Sequence, residues 1–200
     1  DSVHRSSVCM SPSHTPETRR DRLTNQWVTF APSRSGRPKR TSAHRDTETP
    51  ADTAEGPVEG CPFCPGHEDM LPSIRWEWTD AEASSPSWRT RVVPNKYPAL
   101  APDRSPPSSS AGACRLYQSR ANRGTQEVLI ETPHHHQPLA TMPVAQVDAV
   151  LRTYLQRYRA VREDNSGLFP FLFRNHGASA GASIAHPHSQ LIAPDVPPPL

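Results

Sequence analysis

The chain has 200 residues, 34% of them hydrophobic and 6% aromatic, with 24 Pro against 9 Gly. A Pro share more than double the usual ~5% excludes a helical bundle over the whole length and predicts long irregular stretches. The net charge of +2 gives no reason to expect nucleic acid or an anionic membrane as partner, and no apolar run approaches the ~20 residues of a membrane-spanning helix.

Residues 1–18 are polar and aperiodic and read as disordered. Trp27–Ala31 is a short β-prone run, and a turn-rich Pro32–Pro38 follows it. Residues 39–60 carry no apolar pattern and read as a loop. Cys61-Pro-Phe-Cys64-Pro-Gly is a tight knuckle. Ile74–Trp78 and Trp88–Val93 suit strands, and residues 101–113 are low-complexity loop. Gln126–Glu131 predicts a strand. Val144 to Val161 predicts a helix whose buried stripe is Val144, Val147, Val150, Leu151, Tyr154, Leu155, Tyr158 and Val161. Arg152, Arg157, Arg159 and Arg162 lie largely off that stripe and read as a solvated face, and Asn165-Ser-Gly167 ends the helix. Leu168–Phe173 reads as a buried strand, Asn175–Ser183 as a small-residue loop and Ile184–Ile192 as a last strand. This order is an α+β plan, a helix packed on a mainly antiparallel sheet.

The 22 basic residues include only two lysines, Lys39 and Lys96. Genome bias is the plain account of that, ahead of the affinity of the guanidinium fork for phosphate. Four cysteines (Cys9, Cys61, Cys64, Cys114) are too few for a disulfide scaffold. With no signal peptide at the start, a reducing cytoplasm is the default compartment. Cys9 and Cys114 read as plain thiols. Cys61-x-x-Cys64 suits structural zinc, thiol redox or coincidence. Pro65-Gly66 argues against the helix that a thioredoxin-like site needs. Zinc needs two further ligands, for which the His134–His136 run and His186 are candidates.

His186-Pro187-His188 lies in the last predicted strand, where residues i and i+2 share a face. One imidazole could then ligate a metal while the other attacks an electrophile, since neutral imidazole is abundant at pH 7. The bland alternative is two surface histidines on an edge strand. The loop before them weighs against it: Gly177, Ala178, Ala180, Gly181 and Ala182 let backbone approach a ligand closely. Ser183 adds a hydroxyl, and Asn175 and Gln190 add amides. A flexible linker is the plain reading of such a loop, but linkers are not normally set between two strands. The chain begins with Asp1 rather than Met and stops in a turn, Val196–Leu200, which reads as a piece of a longer protein.

Ala-Gly-Ala-Ser-x-x-His-Pro-His-Ser-Gln with the upstream Cys-Pro-Phe-Cys resembles the galactose-1-phosphate uridylyltransferase family, a branch of the histidine-triad superfamily. Further motifs occur in order: Arg19–Trp27, Ala31-Pro-Ser-Arg34-x-x-Arg37-Pro38, Arg91–Pro98 and Glu131-Thr-Pro-His-His-His136. The resemblance covers about residues 19–198 as one amino-terminal histidine-triad-like domain and implies that the family's second half is absent here. It implies one structural zinc on Cys61, Cys64, His135 and His186, and His188 as the nucleophile that takes a nucleotidyl group. Arg34, Arg37, Asn95, Asn175, Gly181, Ser183 and Gln190 would hold the nucleotide sugar, with Gln190 against the transferred α-phosphate. His188, Gln190 and Ser183 form the implied catalytic set. The implied partners are a nucleotide sugar (UDP-glucose, or an ADP-sugar as in adenylyl-transferring relatives) and a hexose 1-phosphate. A homodimer is compatible with it, and a second metal would belong to the missing half. A zinc-stabilised nucleotide-binding fragment without turnover is the alternative of a different class. The family usually has Pro at the position of Arg22 and often Gly at that of Asn25.

Overall fold

The computed structural model describes residues 16–36, 56–79, 88–100, 118–164, 167–177 and 179–197. Cys9, Arg37 and Cys114, the loop expected over 101–113 and most of that expected over 39–60 lie outside them. Eight strands and one α-helix are described: β1 (Glu17–Arg20), β2 (Trp27–Phe30), β3 (Trp76–Thr79), β4 (Trp88–Pro94), β5 (Gln118–Ala121), β6 (Gly124–Ile130), α1 (Val144–Asp164), β7 (Phe171–Phe173) and β8 (His188–Pro194). β2-β1-β5 form a small sheet and β3-β4-β6-β8-β7 a larger one, with antiparallel pairing throughout. The expected α+β architecture is the one observed. Among the described residues, no helix is long and apolar enough to cross a membrane.

β1 and β5 were not anticipated, because Glu-Thr-Arg-Arg and Gln-Ser-Arg-Ala carry no apolar alternation. Glu17 and Thr18 therefore belong to a strand, not to a disordered segment. Asn25, in the β1–β2 turn, has φ 62°, the left-handed region where Gly is at ease and Asn is tolerated. Asn122 joins the sheets. Fully buried between β5 and β6, it accepts from the Thr18 hydroxyl at 2.5 Å and donates to the carbonyls of Phe30 (2.9 Å) and Ala99 (3.2 Å).

The large sheet is covered on both faces, so the apolar side chains of β4, β6 and β8 are buried on either side of it. Val93, Val128 and Ile130 pack with Cys61, Phe63, Cys64 and Trp88 on one face. Val92, Leu129, Leu191 and Ala193 pack with Val161 and Leu168 on the other, under α1. Gly124 begins β6 where a Cβ would lie 2.2 Å from the Ala193 carbonyl oxygen, so only glycine lets the strands pair there.

Four expectations are corrected. The face of α1 that meets the sheet is Gln146, Ala149, Val150, Thr153 and Val161, whereas Val144, Leu151, Leu155 and Tyr158 of the predicted stripe are exposed. The helix is rotated because the sheet presents polar groups to it. Thr153 pairs with Thr90 at 2.6 Å, and Gln146 donates to the carbonyls of Arg89 (2.8 Å) and Glu131 (2.6 Å). Arg157 is not on a solvated face: it grips the buried Glu127 carboxylate with two bonds of 2.9 Å, and Arg75 stands 3.4 Å from the same group. The segment 168–173 forms only a three-residue edge strand, exposed along its length. The last strand starts at His188 rather than Ile184, because Pro187 has no N–H for the ladder and His186 is drawn out of it by its ring contacts.

Arg157→Ala removes one partner of a buried charge and should cost about 3 kcal/mol of stability. Arg159→Ala, on the exposed face, should stay within about 0.5 kcal/mol. Urea denaturation of the two variants checks the pair, and equal costs would contradict the burial of the Arg157–Glu127 bridge.

Candidate active site and metal centre

Cross-strand partners share a sheet face, so register decides what surrounds each β8 side chain. Ile130 pairs with His188, Leu129 with Ser189 and Val128 with Gln190. His188 and Gln190 therefore lie on the face of the Cys61–Cys64 knuckle, and Ser189 and Leu191 on that of α1. The knuckle is closed by backbone bonds from Cys61 N–H to Val58, Cys64 N–H to Cys61 and His67 N–H to Cys64. It sets Phe63 edge-on to both imidazoles, with ring centroids 6.0 Å from His186 and 5.2 Å from His188.

Cys61, Cys64, His135 and His186 converge, their ligand atoms all within 4.8 Å of one another. Sγ of Cys64 lies 3.3 Å from Nδ1 of His135 and 3.6 Å from Nδ1 of His186, and Sγ of Cys61 lies 3.7 Å from the latter. Tetrahedral bonds of about 2.0–2.3 Å give edges of about 3.3–3.8 Å, so these separations suit one small metal ion. The tautomer agrees. The Nε2 of His186 is 2.7 Å from the Thr132 carbonyl, which can only accept, so Nε2 carries the proton and Nδ1 turns its lone pair to the thiols. Burial holds the His186 pKa down at about 4, so the ring is neutral as a ligand must be. Burial also pushes the Cys61 thiol up to about 11, helped by the Cys64 beside it. A buried thiol that resists ionisation is the group a bound cation would convert to a thiolate. His67 is not among the converging ligand atoms; its Nδ1 bonds the Cys61 carbonyl at 2.7 Å.

His188 has the opposite ring arrangement. Its Nδ1 lies 2.8 Å from the His186 carbonyl, so Nδ1 carries the proton and Nε2 is the basic nitrogen. The two histidines thus differ in which ring nitrogen carries the proton, each fixed by the carbonyl it meets.

Behind His188 on the same face, Gln190 accepts from Asn95 Nδ2 (3.3 Å) and Gln126 Nε2 (3.2 Å). Gln126 Oε1 in turn accepts from Ala99 N–H (2.9 Å) and lies 3.5 Å from Nη1 of Arg34, which also donates to the Tyr97 carbonyl at 2.7 Å. Three residues expected at the site, Arg34, Asn95 and Gln190, are thus joined through Gln126. Sequence reasoning missed Gln126 because it lies inside an ordinary strand. Asn175, Gly181 and Ser183 share the segment that runs from β7 to β8. Gly177 and Gly181 have φ 75° and 80°, and the Ala182 N–H closes back on the Gly177 carbonyl at 3.2 Å.

An antiparallel sheet with one packed helix thus carries a buried thiol–imidazole centre, with a second imidazole at the head of β8. Residues 9–198 match the galactose-1-phosphate uridyl transferase N-terminal domain, and the chain belongs to that family. ADP-glucose phosphorylase of Arabidopsis thaliana is 33% identical over 186 residues, 92% of this chain and 50% of the relative. Galactose-1-phosphate uridylyltransferase of Thermotoga maritima is 27% identical over 177 residues, 88% of this chain and 46% of the relative. The crystal structure of the Arabidopsis thaliana ADP-glucose phosphorylase with bound ADP-glucose superposes with a TM-score of 0.57 at 29% identity, covering 92% of this chain and 50% of that one. The chain spans about half the length of the curated relatives it matches.

Metal analysis of the purified chain should find about one tightly held divalent ion. Cys61→Ser/Cys64→Ser should abolish it and His67→Ala should keep it. Full occupancy in the double variant would refute the ligand set.

Proposed function

We propose that the chain carries the nucleophile of a nucleotidyltransferase acting on a nucleotide sugar, with His188 as the attacking residue. The observation that carries this reading is the Nδ1–H bond of His188 to the His186 carbonyl, which puts the lone pair on Nε2. Nε2 attacks the α-phosphorus of UDP-glucose. A P–N bond forms, the bond from the α-phosphorus to the bridging oxygen breaks, and glucose 1-phosphate leaves. The phosphate oxygen of a second hexose 1-phosphate, galactose 1-phosphate, then attacks the same phosphorus and returns Nε2. Gln190 and Ser183 stand with His188 as the catalytic set. Arg34, Arg37, Asn95, Asn175 and Gly181 hold the nucleotide sugar, so charge neutralisation and positioning carry most of the rate.

Cys61, Cys64, His135 and His186 hold zinc in this reading, which suits a mixed sulfur–nitrogen tetrahedron. With four protein donors, the ion would serve structure, tying the knuckle to the sheet. A thiolate centre of this kind fits a reducing compartment such as the cytoplasm.

A second reading is adenylyl transfer from an ADP-sugar. It is favoured by the 33% identity to ADP-glucose phosphorylase against 27% to the Thermotoga maritima uridylyltransferase.

The chain incubated separately with UDP-glucose and ADP-glucose should gain the mass of one nucleotidyl group from its proper donor. Peptide mapping should place it on His188, as an acid-labile, alkali-stable phosphoramidate. An adduct on Ser183, or one that persists in folded His188→Ala protein, would overturn the mechanism. Arg34→Lys/Arg37→Lys keeps both charges but removes the forks, and nucleotide affinity should fall about tenfold. Titration calorimetry reads it, and unchanged affinity would mean solvated arginines only.

A further inference from the structure

Glu131 is a buried carboxylate for which the transfer chemistry has no use, its side chain 0% exposed. Its donors come from three elements. Nε of Arg174 lies 3.2 and 3.0 Å from its two oxygens, the Tyr154 hydroxyl donates at 2.9 Å, and the Ser189 hydroxyl donates to the same oxygen as Tyr154. The Glu131 N–H meanwhile bonds the Pro187 carbonyl at 3.1 Å. Glu131 thus holds both sequence neighbours of His188, Pro187 by its amide and Ser189 by its carboxylate. Successive side chains of a strand point to opposite faces. Anchoring Ser189 on the α1 face therefore commits His188 to the face of Phe63 and the Cys61–Cys64 knuckle. Arg174 extends the grip to the start of the segment that carries Gly181 and Ser183. Burial and the Glu131 charge both push the Tyr154 phenol up, so it stays protonated as a donor.

We propose that Glu131 is a positioning residue for His188: with Arg174 and Tyr154 it anchors Ser189, and so holds the His188 ring in the orientation and tautomer that present Nε2. The proposal rests on the reading of His188 as nucleophile.

The test uses the metal-loaded full chain with 15N-labelled histidine, the His188 resonances being assigned by their loss in His188→Ala. The wild type should show one His188 tautomer, protonated at Nδ1. Ser189→Ala, which deletes one hydroxyl, and Glu131→Gln, which keeps the volume but not the charge, should each give mixed tautomers. The rate of adduct formation at saturating nucleotide sugar should fall on the order of tenfold to a hundredfold. The half-saturating concentration should stay within about twofold, the mark of lost transition-state positioning rather than lost binding. Metal content should be unchanged, and Ser189→Thr, which restores the hydroxyl, should recover most of the rate. A purely structural ion pair would lower the melting temperature and leave rate and tautomer alone, and that result in both variants would overturn the proposal. If Glu131→Gln does not fold, Ser189→Ala decides by the same readouts. If the wild type forms no adduct with either donor, the functional reading fails, and the His188 tautomer in Ser189→Ala still decides the positioning claim.

Discussion

The antiparallel ladder between β6 and β8 is the constraint on which the rest depends. It runs from Gly124 opposite Pro194 to Ile130 opposite His188. A slip of one residue would exchange the two faces of β8. His188 and Gln190 would then meet the helix, and Ser189 and Leu191 would meet the knuckle. Gly124 guards one end of the register by the contact with Ala193 that no side chain could share. At the other end the chain leaves the ladder at Pro187, and His186 turns toward the thiols and the Thr132 carbonyl.

Polar groups do much of the packing in this chain, consistent with its modest apolar content. Glu127 and Glu131 are both fully buried, and each meets an arginine and further donors. Such pairs add little net stability over apolar side chains of equal volume, but leaving either carboxylate without its partner would be costly. They therefore act as registration devices. Arg157 on Glu127 and Tyr154 on Glu131 set the rotation of α1 more sharply than its few apolar contacts could.

Two histidines separated by one proline acquire different chemistry from two carbonyl oxygens. The Thr132 carbonyl accepts from Nε2–H of His186, and the His186 carbonyl accepts from Nδ1–H of His188. The first arrangement points a lone pair at the thiols, and the second leaves Nε2 as the base. The same stretch of backbone thus places one imidazole at the thiols and supplies the carbonyl that orients the other.

Much of this was legible in the amino-acid order. Cys61-x-x-Cys64, the histidine run, His186-Pro-His188 and the small-residue loop are local signals, because metal ligation and close approach to a ligand demand particular residue types at short spacings. The strands Trp88–Pro94 and Gly124–Ile130 were close to expectation, since each holds a short β-prone apolar stretch, Val92-Val93 in one and Val128-Leu129-Ile130 in the other. The buried side of α1 was not legible. Its partners on the sheet are Thr90, Glu127 and Glu131, and an apolar stripe rule assumes an apolar surface to pack on. Nor were Gln126 and Thr132, whose roles arise only when strands far apart in sequence come into register. Residue type and spacing determined which atoms could bind a metal or attack phosphorus. Tertiary structure decided which nitrogen of His186 carries its proton, because the Thr132 carbonyl that accepts from Nε2 lies 54 residues away in sequence and comes within reach only once β6 pairs with β8.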